Sequence, residues 1–172
     1  MAYPGAALGV VVSHPTNNCI LLGKRKGELG PGQYSLPGGK IDFAETSFAA
    51  VMREVKEETN LDLKDIYFTG KVTNDYFPDQ GKHYITLYYL AVAINPQDLK
   101  TLEPDKVDKV EGWEWVNPYI ELPQPMWMHT GVLLTAMVEH EQSHLSRRLS
   151  WVYHSPASWS SKFKTPDIDG KS

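Results

Sequence analysis

A mixed β-sheet with helices packed on its faces, an α/β fold, is predicted by three features of this 172-residue chain. Runs rich in Val, Ile, Tyr and Thr recur along it, and such residues suit a pleated, half-buried surface. The segment from Thr46 to about Thr59 spaces Phe48, Val51, Met52 and Val55 as one buried stripe of a helix. A second helix-length stretch, Trp127 to His144, follows the Pro-bearing segment Leu122 to Pro125.

Taken in order, Ala7–Val12 and Cys19–Leu22 read as a hairpin, because His14-Pro15-Thr16-Asn17-Asn18 between them supplies turn chemistry. A loop carrying Gly27, Gly30, Pro31, Gly32, Pro37, Gly38 and Gly39 comes next. Thr46 or Ser47 can cap the first helix by accepting from its unpaired N–H groups. Ile66–Phe77 and Tyr84–Ile94 read as strands, and Trp113-Glu114-Trp115-Val116 as a shorter one.

Composition narrows the function. Hydrophobic residues at 41% and charged residues at 22% describe an ordinary globular chain. The lone Cys19 excludes an internal disulfide and a cysteine-based zinc site, and suits a reducing compartment. Met1-Ala2-Tyr3-Pro4 lacks the basic and apolar regions of a secretory leader, so the expected location is cytoplasmic, with no membrane partner. A formal charge of −4 argues against a nucleic-acid polymer as partner. That charge is unevenly spread, since residues 1–145 carry −7 and residues 146–172 carry +3. We therefore expect a folded domain over 1–145 and a basic, Ser-rich tail over 146–172 that bears Trp151, Tyr153, Trp159 and Phe163. Within the tail, Arg147-Arg148-Leu149-Ser150 resembles a basophilic kinase site.

The first helix carries more carboxylates than a structural helix needs. Glu54, Glu57 and Glu58 stand at i, i+3 and i+4, on an arc beside the apolar stripe. Three like charges so close repel unless something positive sits among them, and a hard divalent cation suits carboxylate oxygens. Alone, the pattern reads more readily as a solvated acidic face steadied by an Arg53–Glu57 pair at i, i+4.

The longer pattern is more specific. Gly39, five residues, Glu45, seven residues, then Arg53-Glu54-Val55-Lys56-Glu57-Glu58-Thr59-Asn60-Leu61 resembles the Nudix box, G-x5-E-x7-R-E-U-x-E-E-x-G-U with U a bulky apolar residue. Only its last glycine differs. Asn60 stands there, at a helix end where asparagine is the next best residue for left-handed backbone.

The resemblance implies an α/β/α sandwich and hydrolysis of a nucleoside-linked diphosphate with Mg²⁺ or Mn²⁺. Glu54 and Glu58 would be the main metal ligands, with Glu57 completing the cluster and the Gly38 carbonyl joining it. Arg53 would orient the glutamates, and Glu45 would tie loop to helix. The base that deprotonates water is open among Glu57, Glu58, His83, Glu103 and Glu111.

Further segments resemble the MutT-like nucleoside triphosphate diphosphatases: Leu21 to Gly27, Leu36 to Lys40, His83 to Thr86, Glu103 to Lys106 and Glu111 to Trp115. The resemblance runs from about Leu8 to His140. It implies conversion of a nucleoside triphosphate, oxidised or modified purines included, to monophosphate and diphosphate. Lys24, Arg25 and Lys40 would face the phosphates, and Leu36 and Thr86 would line the purine pocket. Trp127 could stack on the base or pack in the core. The alternatives are a pyrophosphatase for ADP-ribose, NADH or a pterin triphosphate, and a non-catalytic nucleotide-binding module. In every case the expected partner is a small nucleotide, with monomer or homodimer left open.

Overall fold

The computed structural model describes residues 3–26, 29–102 and 110–144, with side chains as far as 139. Glu103 and the tail beyond residue 144, its aromatics and Arg147-Arg148 included, lie outside the described residues.

The order of elements is β1 (Gly5–Ser13), β2 (Ile20–Arg25), β3 (Tyr34–Ser35), α1 (Ser47–Thr59), β4 (Leu63–Phe77), β5 (Lys82–Ala93), β6 (Val110–Val116) and α2 (Thr130–His144). One mixed sheet runs β3-β2-β1-β5-β4, and β2 also pairs with β6. The β1–β5 pair is parallel and in register from Gly5↔Tyr84 to Ser13↔Val92. The long β4–β5 hairpin is antiparallel, with irregular pairing at Lys64/Tyr67 and Phe68/Val72.

Strand alternation divides the core in two. Leu8, Val10, Val12, Tyr89, Ala91 and Ala93 meet Val51 and Val55 of α1. Val11, Tyr88, Ile20, Leu22 and Leu36 meet Leu133 and Leu134 of α2 on the other face. The expected mixed sheet with helices on its faces is therefore present.

Helix α1 begins at Thr46, whose side chain accepts from the Ala49 N–H at 3.2 Å. It ends at Asn60, which adopts the left-handed conformation (φ 62°, ψ 7°) as its N–H donates to the Lys56 carbonyl. The Asn60 side chain also donates to the Asp98 carbonyl at 3.1 Å, so this residue stops the helix and ties it to a loop.

Two expectations need correction. The buried face of α1 is Ala50, Val51, Glu54, Val55 and Thr59, whereas Phe48 and Met52 are 48% and 50% exposed. At about 100° per residue the buried arc centres between Val51 and Glu54, which leaves Phe48 at its margin, edge-on to Tyr89. The second helix starts at Thr130 rather than Trp127. The chain before it is committed elsewhere: Met126 bridges to Tyr34, and the Trp127 N–H donates to the Tyr34 carbonyl at 2.7 Å.

Candidate active site

The loop Leu36-Pro37-Gly38-Gly39-Lys40 runs beside β1. Val10 N–H donates to the Pro37 carbonyl at 2.9 Å, and Leu8 N–H donates to the Gly39 carbonyl at 2.8 Å. Both glycines are required by close approach. A Cβ on Gly38 would collide with the Leu8 carbonyl, and one on Gly39 would overlap the Glu54 carboxylate. Glu54 reaches this cradle from α1, its side chain only 4% exposed.

Arg53 organises the carboxylates. Its Nε and Nη2 donate to the two oxygens of Glu45, each at 2.8 Å. Nη1 donates to Glu54 at 2.9 Å and, more loosely, to Glu57 at 3.4 Å, while Nη2 also reaches the Lys40 carbonyl at 2.9 Å. These charge-assisted bonds, first from Arg53 and then from the Asp42 N–H, hold the Glu45 carboxyl down to about 2. Glu45 in turn pushes the Arg53 guanidinium up. Glu58 accepts from the Gly38 N–H at 3.1 Å. Each box glutamate is thus gripped by a named donor.

The donor set suits a hard divalent cation, since Glu54, Glu57 and Glu58 supply only carboxylate oxygen. The Gly38 carbonyl adds another oxygen, and among the described residues nothing donates to it. Among those residues, however, no three acidic or metal-ligating side chains already converge. Arg53 and Gly38 draw the carboxylates apart.

The cations expected at the phosphates occupy distinct positions. Lys24 pairs with Glu111 at 3.2 Å, engaging one of the candidate bases. Arg25 donates to the Leu29 carbonyl at 2.8 Å and lies 4.4 Å over the Trp127 ring. Burial pulls its guanidinium down from the usual value, and the charge of Glu58 acts the other way. Lys40 extends its ammonium to 5.6 Å from the Tyr84 ring. His83, another candidate base, has Asn74 and Tyr76 as neighbours at the end of the hairpin.

Of the expected purine-pocket residues, Leu36 and Thr86 lie on the α2 side of the sheet. Leu36 packs with Tyr88, and the Thr86 hydroxyl donates to Asp75. Trp127 stacks in parallel on Phe77, with centroids 5.7 Å apart. Its ring crowds Gly30 so closely that a Cβ there would overlap it.

Asp75 was not singled out by the sequence reading. It is buried, and one carboxylate oxygen accepts from both Thr73 and Thr86. Burial pushes the nearby Tyr88 phenol up, the neighbouring Thr73 side chain acts the other way, and the charge of Asp75 adds to the rise. A carboxylate inside a Val/Thr/Tyr strand, two residues from Thr73, was the available signal.

Known proteins give this geometry a context. A family model described as NUDIX domain matches residues 3–136. The chain is 26% identical to an RNA pyrophosphohydrolase of Hydrogenovibrio crunogenus over 74% of its own length and 88% of that protein's. It is 42% identical to an ADP-ribose pyrophosphatase of Methanocaldococcus jannaschii over 54% of this chain, spanning about half (53%) of that relative. An 8-oxo-dGTP diphosphatase of Proteus vulgaris is 34% identical over 51% of this chain and 73% of that protein. Among solved structures, a MutT NUDIX hydrolase from Burkholderia pseudomallei superposes with a TM-score of 0.67 at 30% identity, covering 78% of this chain and 98% of that one.

Proposed function

The chain belongs to the Nudix family, and from that premise we propose that it hydrolyses a nucleoside triphosphate to the monophosphate and diphosphate in a Mg²⁺- or Mn²⁺-dependent reaction. One observation carries the reading. The Arg53 clamp holds Glu45 and Glu54 against the Gly38–Gly39 loop, and that loop continues from Leu36 on the face where Thr86 lies.

The metal would be held by Glu54, Glu57 and Glu58, with the Gly38 carbonyl. When bound, it supplies neutralisation of phosphate charge and acidification of water. The chain's own residues do the rest. Arg53 fixes the orientation of Glu45 and Glu54, so little reorganisation is needed during reaction. Glu57 or Glu58 accepts the proton of the attacking water. The water oxygen bonds to phosphorus, the bond from that phosphorus to its bridging oxygen breaks, and diphosphate departs. Arg25, Lys24 and Lys40 supply cationic groups for the phosphates.

The likeness to an 8-oxo-dGTP diphosphatase supports the triphosphate reading, with modified purines among the candidates. The likeness to an ADP-ribose pyrophosphatase favours a second reading, cleavage of a dinucleotide-type diphosphate. The substrate is in either case a small nucleotide. Among the described residues no helix is long and apolar enough to cross a membrane.

A substrate panel with Mg²⁺, scored by its phosphate products, tests the proposal. Purine triphosphates should yield monophosphate and diphosphate. Turnover of ADP-ribose to two monophosphates, with triphosphates untouched, would establish the second reading. No product from any nucleotide would leave a binding module.

A further inference from the structure

Asp75 is a buried carboxylate with half of its hydrogen-bonding capacity unused. Its side chain is 8% exposed. Oδ2 accepts from the hydroxyls of Thr73 at 3.0 Å and of Thr86, and this fixes the plane of the carboxylate. Oδ1 is buried and makes no hydrogen bond. His129 Nε2 stands 3.4 Å from it, without hydrogen-bonding geometry, on a ring that is itself 44% exposed. A buried acceptor left without a donor is costly, so the arrangement calls for an explanation.

Its position supplies one. Register places Asp75 opposite Tyr84, and Thr73 opposite Thr86, on neighbouring strands. Across β1, Gly5, Ala7 and Gly9 pair with Tyr84, Thr86 and Tyr88. A Cβ on Gly5 or Gly9 would approach the Tyr84 or Tyr88 ring to 3.1 Å, so these two rings lie over the glycines. Between them, Ala7 and Thr86 form a step of small side chains with Asp75 at its side. The Phe77–Trp127 stack continues on the same strand face, two residues beyond Asp75.

We propose that Asp75 is a specificity-determining residue, which reads a hydrogen-bond-donating edge of the nucleobase through Oδ1. This rests on the nucleoside triphosphate reading above. An ionised carboxylate can only accept. It therefore pairs with a base offering ring N–H and exocyclic amine together, as a 2-amino-6-oxopurine does. Adenine presents an unprotonated ring nitrogen at the corresponding edge and is disfavoured by lone-pair repulsion. The incoming donor displaces the His129 imidazole, whose Nε2 stands 3.4 Å from Oδ1 in the free protein. Thr73 and Thr86 act as positioning residues.

The test is the ratio of kcat/KM values for dGTP, dITP and dATP with Mg²⁺, in wild type and Asp75→Asn. Asparagine is isosteric and keeps an acceptor for the threonines, but turns the free acceptor into a donor. Wild type should rank dGTP above dITP above dATP, because dITP keeps the ring N–H and lacks the amine. Asp75→Asn should cut the dGTP-to-dATP ratio by roughly 10- to 100-fold, mainly through KM, the scale of a hydrogen bond to a charged group. Because each ratio is taken within one preparation, partial misfolding cancels. An unchanged ratio in an active Asp75→Asn enzyme overturns the inference. So do equal wild-type values for dGTP and dATP, which need no variant. In both cases the triphosphate reading stands. If wild type hydrolyses no triphosphate, both fall together.

Discussion

Arg53 and Glu45 are joined by two parallel hydrogen bonds, Nε to Oε1 and Nη2 to Oε2, each 2.8 Å long. The pair fastens the loop after Gly39 to the helix that carries the box glutamates, and the remaining nitrogen of the same guanidinium holds Glu54. Lysine cannot reproduce this, because a single ammonium has no planar fork. Arg53→Lys should therefore lower kcat by about 10- to 100-fold while the protein stays folded, the usual scale for groups that orient ligand carboxylates. Rates and melting curves on one preparation check this. Full activity would remove the orienting role.

The same pair sets an acid limit on stability. The Glu45 carboxyl is held down to about 2, against 4.5 ordinarily, so its contribution is complete above about pH 4.5 and is lost as pH falls toward 2. Wild-type Tm should drop through that window. Glu45→Gln, with no carboxyl to protonate, should give a shallower slope there from a lower starting Tm. Parallel curves would mean that other carboxyls govern the acid limb.

Glu58→Gln separates a metal site from an acidic face. Glutamine retains an oxygen for the Gly38 N–H but loses the charge facing Arg25, so stability in EDTA should change by no more than about 1 kcal/mol. Adding Mg²⁺ should raise the wild-type Tm by mass action and the variant's by less. Turnover should meanwhile fall about a thousandfold. An active variant that Mg²⁺ stabilises as strongly as wild type would take Glu58 out of the ligand set.

Trp127 packs on Phe77 and beneath Arg25. Removing the ring in Trp127→Ala should cost about 1–3 kcal/mol from the aromatic pair and the cation–π contact. Trp127→Phe should recover part of it. Chemical denaturation measures both. A rise in KM for a purine triphosphate at unchanged stability would show instead that the ring's working partner is the base.

Much of the fold was legible because it rests on local chemistry and periodicity. The caps at Thr46 and Asn60 depend on residues a few positions apart, and the long strands declare themselves by composition. The two-residue strand Tyr34–Ser35 did not, because it exists only through pairing with β2. The start of α2 at Thr130 rather than Trp127 has the same reason, since the Trp127 N–H is held by the carbonyl of Tyr34, far away in sequence.

By itself, the sequence determined the spacing of Gly39, Glu45, Arg53, Glu54, Glu57 and Glu58, and hence the family, because one loop and one helix carry that whole pattern. Only the tertiary structure decided which side chains those residues grip, that Phe48 and Met52 lie at the margin of the core, and that Lys24 meets Glu111. It alone brought Asp75 of β4 to Thr86 of β5, with His129 Nε2 3.4 Å from the other carboxylate oxygen, Oδ1. Such contacts depend on strand register and on how a distant turn docks, and neither is encoded in the periodicity of any single segment.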